Sequence, residues 1–226
     1  MAPQALSQTL SLPKGAKSKG SCRPPTLHRH ETHVPVTGSD AMTALPLETK
    51  HLLLRDFEED DWEAVHAYGS DPEVVRYVPW GPNSEQDTKD FLARVIAAQS
   101  AEPRQAYDLA VTLRDGGNLI GGAGLHLRGP DSPTAYAGYV LNRQHWGQGY
   151  GTEALGALLA LGFERLGLHR IFATCDTDNV GSFRVMEKNG MRREGHFLQE
   201  VWQKGEWRDR YLYAILEDEW RAQQQR

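Results

Sequence analysis

The sequence predicts an α/β fold built on one mixed sheet, and three observations carry that prediction. Three strand patterns follow one another in mid-chain, Ala106–Leu113, Leu119–Leu127 and Ala135–Leu141. The turns Asp115-Gly116-Gly117-Asn118 and Gly129-Pro130-Asp131 separate them, which reads as an antiparallel meander. A helical pattern then leads to another strand, Arg170–Cys175, and a strand–helix–strand crossover implies parallel pairing at that point. The chain closes with two aromatic strand patterns between Gly195 and Trp220, around the turn Lys204-Gly205-Glu206.

Taken in order, the folded part opens with a strand over Leu47–Arg55. Asp60 or Asp61 is placed to cap a helix carrying Trp62, Val65 and Tyr68, stopped by Gly69 and Asp71-Pro72. Pro79-Trp80-Gly81-Pro82 reads as a loop. Ser84 with Asp87 forms a capping box ahead of a helix with Phe91, Leu92, Val95 and Ile96 on one face. After the meander, Leu155, Leu158, Leu159, Phe163 and Leu166 recur at helical spacing up to Gly167. Asn179 is a good cap for a short helix through Phe183, Val185 and Met186, closed by Asn189-Gly190.

Residues 1–45 differ from the rest. Five prolines between Pro3 and Pro35 punctuate a Ser-, Thr- and Gly-rich stretch whose charges are mostly Lys and Arg. Such a segment buries too little apolar surface to offset its ordering entropy, so a disordered basic tail is expected ahead of a domain at 46–226. Met42, just before the first patterned segment, is a candidate for the true translational start. His28, His30 and His33 lack a neighbouring Cys or carboxylate cluster and read as solvated, so no metal is expected.

Composition narrows the function classes. With 39% hydrophobic residues and six tryptophans, the 226-residue chain can fill an ordinary globular core. A net charge of −5 gives no argument for nucleic acid as a partner. No apolar run approaches the ~18 residues that cross a bilayer, so no membrane partner is expected. Cys22 and Cys175 lie in regions of different character; a disulfide framework is not expected and a cytoplasmic setting fits.

The most informative stretch is Trp146-Gly147-Gln148-Gly149-Tyr150-Gly151-Thr152-Glu153-Ala154. It lies between a strand end and a helix start, where free backbone N–H groups and the positive end of a helix dipole gather around one point. That arrangement suits an anion. It lacks the Lys-Ser/Thr ending of a nucleotide phosphate loop and the spacing of a dinucleotide fingerprint. Downstream stand Asn179-Val180-Gly181-Ser182 and Glu187-Lys188-Asn189-Gly190-Met191-Arg192-Arg193-Glu194-Gly195.

These three motifs in this order resemble the GCN-five-related N-acetyltransferase (GNAT) superfamily, and within it the RimJ/RimL branch, whose named members acetylate α-amino groups of ribosomal proteins. The likeness spans roughly Leu47 to Trp220. It implies an α/β (α+β) fold with a mixed, mostly antiparallel sheet of six to seven strands, flanked by about four helices and opening as a V between strands 4 and 5. It implies that acetyl-coenzyme A is the cosubstrate. The amides of Gln148, Gly149, Tyr150, Gly151 and Thr152 would bind its pyrophosphate, and Tyr139, Val140 and Leu141 would lie beside its pantetheine arm. An amide such as that of Leu141 would meet the thioester oxygen. Trp146 stands where the family usually has Gln or Arg.

The reaction implied is direct attack of a primary amine on the thioester. An α-amine with a pKa near ~8 needs only a modest base, and an acid is needed for the departing thiolate. Ser182 resembles the serine assigned that acid role in the branch, and Asn179 would contact the coenzyme as well as cap its helix. Cys175, a strand cysteine without a basic neighbour in sequence, reads as a buried apolar group rather than a nucleophile. Relatives carry a glutamate where this chain has Tyr136. The base candidates are therefore Asp176, His126, Glu194 and Glu200, with no choice among them. The amine acceptor is a protein N-terminus or, alternatively, an aminoglycoside, polyamine or amino acid; a non-catalytic acyl-CoA-binding protein is a third reading. The loop Val78–Pro82 and the strands near Trp202 and Trp207 are expected to shape the acceptor pocket. A monomer, or a homodimer through the aromatic C-terminal strands, fits the sequence.

Overall fold

Thr49, Lys50 and His51 interrupt the first strand pattern and split it. The Thr49 hydroxyl donates to Leu52 O (3.0 Å) and accepts from Leu52 N (2.9 Å), closing a tight turn between β1 (Leu47–Glu48) and β2 (Leu52–Asp56). The computed structural model describes residues 45–225. The expectations for the basic tail, Met42, the three tail histidines and Cys22 lie outside the described residues.

Asp61 does not cap the next helix as the sequence predicted. Its carboxylate takes both guanidinium nitrogens of Arg55 (2.7 and 2.8 Å) and the Glu58 N–H (2.8 Å), so a short 3-10 turn leads into α1 (Trp62–Gly69) instead. Ser84 and Asp87 do form the capping box, each side chain meeting the other's backbone N–H at the start of α2 (Glu85–Gln99). The meander follows as β3 (Ala106–Leu113), β4 (Leu119–Leu127) and β5 (Thr134–Leu141). Next come α3 (Tyr150–Ala160), running into a π turn over Leu161–Arg165, then β6 (Arg170–Asp176) and α4 (Val180–Lys188).

The C-terminal region departs from the sequence reading in two ways. Strand β7 (Arg192–Gln203) begins three residues before Gly195, and β8 (Glu206–Leu216) is followed by a helix, α5 (Glu217–Gln224). Glu217, Asp218 and Glu219 in its first turn oppose the helix dipole favourably, and Trp220 is buried on Phe163 with ring centroids 5.9 Å apart. Five α-helices therefore stand among the described residues, against the four expected.

The sheet has eight strands in the order β1-β2-β3-β4-β5-β6-β8-β7, one or two more than expected because the first pattern breaks. Every neighbouring pair is antiparallel except β5 and β6. That parallel pair holds register only for Thr134↔Arg170, Ala135↔Ile171 and Tyr136↔Phe172. Beyond Tyr136 the strands part. These are the fourth and fifth strand patterns of the sequence, so the opening lies where it was expected.

Two apolar layers fix the sheet. On one face Leu109, Leu125, Ala137, Leu155 and Leu158 are fully buried between the strands and α3. On the other, α1 and α2 press Val65, Leu92 and Val95 onto Phe57 and Ala110. Each such aliphatic side chain contributes about 2 kcal/mol of burial, enough to hold the central strands rigid on both sides of the opening.

Candidate active site

The glycines of the turn serve different ends. Gly147 (φ +74°) and Gly149 (φ +90°) hold left-handed backbone that other residues adopt only with strain, and a Cβ at either would meet nothing within 4 Å. Gly151 has ordinary backbone, but a Cβ there would lie 3.3 Å from Tyr139 Cε2 and 3.5 Å from Val185 Cγ2. It lets the first turn of α3 settle against β5 and α4. Gly149 is the N-cap of α3 and offers no side-chain cap. Glu153 N donates to Gly149 O (3.1 Å), so the N–H groups of Tyr150, Gly151 and Thr152 precede the helix ladder. The turn itself is exposed from Gly147 to Gly149. Gln148 folds back, its Nε2 donating to Gln144 O at 3.0 Å.

Trp146 has a structural task. Its indole Nε1 donates to Leu141 O at 2.8 Å and ties the turn to the end of β5. Asn142 N donates to Ile120 O of β4, so by strand alternation the Leu141 N–H faces the opposite way, into the opening. Tyr139 shares that orientation. Val140 instead pairs with Gly122 and turns its backbone polar groups toward β4. Of the three residues predicted along the arm, two present backbone to the opening.

Across the opening lies α4. Asn179 caps it as predicted, its Oδ1 accepting from Ser182 N at 3.1 Å. Tyr139 Oη lies 3.4 Å from Ser182 Oγ and 3.3 Å from Ser182 O, so the hydroxyl of Ser182 faces the gap-lining strand. Burial pushes the Cys175 thiol up to about 12 despite its hydrogen bond to Ser182, which favours the protonated sulfur. Burial likewise raises Tyr139. Asn189 Nδ2 donates to Thr152 O (3.1 Å) and Val185 O (2.9 Å), locking α3 to α4.

Residues 51–192 match the family described as the acetyltransferase (GNAT) domain. The chain belongs to the GNAT acetyltransferase family. It is 42% identical over 174 residues to the uncharacterised N-acetyltransferase YnaD of Bacillus subtilis (strain 168), covering 77% of this chain and 98% of that one. A solved GNAT-family acetyltransferase from Bacillus anthracis superposes with TM-score 0.69 at 40% identity, over 77% of this chain and 99% of the other. The ribosomal-protein-serine acetyltransferase of Escherichia coli (strain K12) is 29% identical over 135 residues, covering 60% of this chain and 73% of its own.

On the other face of this acetyltransferase, α1 and the β7–β8 hairpin border the opening. Register and alternation place Asp108, His126, Tyr136, Thr174, Asp176 and Arg210 together there. The hairpin docks on the segment before α2: Gln203 Nε2 donates to Val78 O (2.9 Å) and Lys204 Nζ to Val75 O (2.5 Å). The loop and the hairpin named from sequence do meet, although Trp202 and Trp207 pack edge-to-face on each other at 5.5 Å and stay mostly exposed.

The four base candidates separate cleanly. Asp176 is 1% exposed and spends both oxygens on Arg208 (2.7 Å each), whose pKa those bonds raise. Glu194 is held low by Arg170, with Arg192 beside it, near the start of β7. Glu200 is exposed on the irregular part of the edge strand. His126 lies on the same face as Asp176, in register with Tyr136, with Nε2 2.8 Å from Asp108 Oδ1. Asp108 was missed in the sequence. A lone carboxylate within the apolar run of β3 was its signal.

Glu153 was missed too. It receives the Thr49 hydroxyl, His51 N (2.6 Å) and His51 Nδ1 (2.9 Å), pinning α3 to the β1–β2 turn. Burial pulls its pKa upward, but these hydrogen bonds outweigh burial and leave it lowered. Among the described residues no group of three His, Cys, Asp or Glu side chains is placed to hold a metal ion, and no helix is long and apolar enough to cross a membrane.

Proposed function

We propose that this acetyltransferase moves an acetyl group from acetyl-coenzyme A to the α-amine at the N-terminus of a peptide or protein. The residues present fit the coenzyme. An N-cap without a side chain leaves the amides of Tyr150, Gly151 and Thr152 for a pyrophosphate, with Gln148 and Gly149 contributing theirs from the turn. The gap-facing backbone of Tyr139 and Leu141 can pair with the amide-bearing pantetheine arm as a strand would, while Val140 supports it from the sheet. Asn179 holds the first turn of α4 so that Ser182 faces the same gap.

In this reading the Leu141 N–H meets the thioester oxygen as charge builds on it. Ser182 gives a proton to the sulfur that leaves, and Tyr139, within 3.4 Å, steadies that hydroxyl. The amine arrives from the opposite face.

The choice of acceptor rests on the charge balance of that face. Of its carboxylates, Asp176 is neutralised by Arg208 and Asp108 accepts a hydrogen bond from His126. Arg210 adds a cation whose Nη2 holds Gln203 Oε1 (2.7 Å) and whose buried Nε has no hydrogen-bond partner among the described residues. A polyamine needs surplus carboxylates; the Arg210 cation instead suits an acceptor with carbonyl groups near its amine. The likeness to a ribosomal-protein-serine acetyltransferase points the same way.

Thiol release from acetyl-coenzyme A tests the reading against peptides with free N-termini, the same peptides N-formylated, spermidine and an aminoglycoside. We expect kcat/KM at least tenfold higher on free peptides than on spermidine, and loss of turnover on formylation. A preference for spermidine or the aminoglycoside would move the protein to the small-molecule class.

A further inference from the structure

We infer that His126, held by Asp108, is the group that takes the proton from the acceptor amine. The inference rests on the acetyl-transfer reading but not on which amine is used. His126 lies in register with Tyr136, the last residue of β5 to pair with β6, so it sits at the mouth of the opening. Its ring leans along β4 over Gly124 toward Asp108 of β3: a Cβ on Gly124 would lie 3.2 Å from His126 Nε2 and 3.1 Å from Asp108 Oδ1. Gly124 pairs with Gly138, which is level with the parted strands, and the Tyr136 ring lies over Gly138 (3.4 Å from a Cβ there), between the His–Asp pair and the gap. A side chain at 124 would push the two apart.

The geometry also assigns the nitrogens. Nε2, 2.8 Å from Asp108 Oδ1, carries the proton that Asp108 accepts. Nδ1 is then the basic atom, the arrangement by which a carboxylate fixes a histidine tautomer. The side chains keep 29% and 20% of their surface exposed, enough to pass a proton on to water. Asp108 faces His126 from β3, Tyr136 from β5 and, beside Asp108, Tyr68 from α1; Arg210 of β8 lies beyond Tyr136. Tyr68 and Tyr136 are both raised by burial and stay neutral.

The proton balance closes. The ammonium loses one proton to Nδ1, directly or through one water, and His126 passes it to solvent. The neutral amine forms the N–C bond, the C–S bond breaks with its pair on sulfur, and Ser182 protonates that sulfur. The new amide nitrogen sheds its second proton, which restores the Ser182 hydroxyl through solvent.

The test is kcat/KM against pH, between pH 5.5 and 9, for the wild type, His126→Gln and Asp108→Asn, on whichever amine turns over. We expect His126→Gln to lower kcat about 100-fold with acetyl-coenzyme A KM unchanged, and to erase the acidic limb that the wild type shows. Asp108→Asn should lower kcat by less, because it removes only the group that orients the imidazole. A His126→Gln enzyme within threefold of wild type, or one that keeps the acidic limb, overturns the inference. So does a loss confined to acetyl-coenzyme A KM. Turnover of spermidine but not of peptides would sink the acceptor reading alone, and the same profiles on spermidine would still decide the role of His126.

Discussion

The two sides of the opening are built from different materials. The donor side is almost entirely backbone: two left-handed glycines, a helix N-terminus and the free edge of β5. The acceptor side is made of side chains from β3, β4, β5, β6 and β8, brought together by register and held by pairs such as Arg208–Asp176 and Asp108–His126. A backbone site recognises charge and extended amide geometry, which any amide-bearing cosubstrate supplies. A side-chain site can change one residue at a time and so can change its substrate without touching the donor. The contrast predicts that substitutions on the two sides fail in different ways.

The largest effect is expected on the acceptor side. Arg208→Met leaves the Asp176 carboxylate, 1% exposed, without its partner. Removing one member of a buried pair costs about 3–5 kcal/mol, so Tm should fall by about 10 °C in a thermal melt. An unchanged Tm would mean that Asp176 is tolerated without a cation. Next comes Ser182→Ala, at the junction of the two sides. It should lower kcat about 100-fold, equal to about 2.7 kcal/mol, with both KM values held. Unchanged kcat would remove Ser182 from the reaction.

Gly149→Ala sharpens the donor side. Forcing a Cβ into φ +90° costs about 1–2 kcal/mol and disorders the turn, so acetyl-coenzyme A KM should rise about tenfold while the acceptor KM stays put. Equal loss in both would show the two sides to be coupled through the turn.

The smallest effect concerns the clamp behind the turn. Glu153→Gln should cost about 1 kcal/mol and about 3 °C in Tm at pH 7. The sign of the pH dependence follows from the lowered carboxyl. Its contribution is full above the ordinary glutamate value of 4.5 and fades as pH falls through the lower folded value. The gap between wild type and variant should therefore close below about pH 4.5.

The sequence by itself determined the meander, the crossover, the capping box at Ser84, the cap at Asn179, and the glycine turn with its open helix end. All of these depend on residues within a few positions of one another, where φ preference and hydrogen-bonding type act locally. It also placed the opening between the right strands, through its resemblance to known acetyltransferases. It missed the break at Thr49–His51 and the use of Asp61, because both depend on a distant partner: Glu153 in one case, Arg55 across the strand end in the other. Only the tertiary structure decided how the candidate bases are surrounded. Four candidate bases looked equivalent along the chain, and only strand register separated them. Pairing β6 with β8 sealed Asp176 under Arg208, and pairing β3 with β4 laid Asp108 against His126 over a glycine. Register is set by the whole sheet, so no short stretch of sequence carries it.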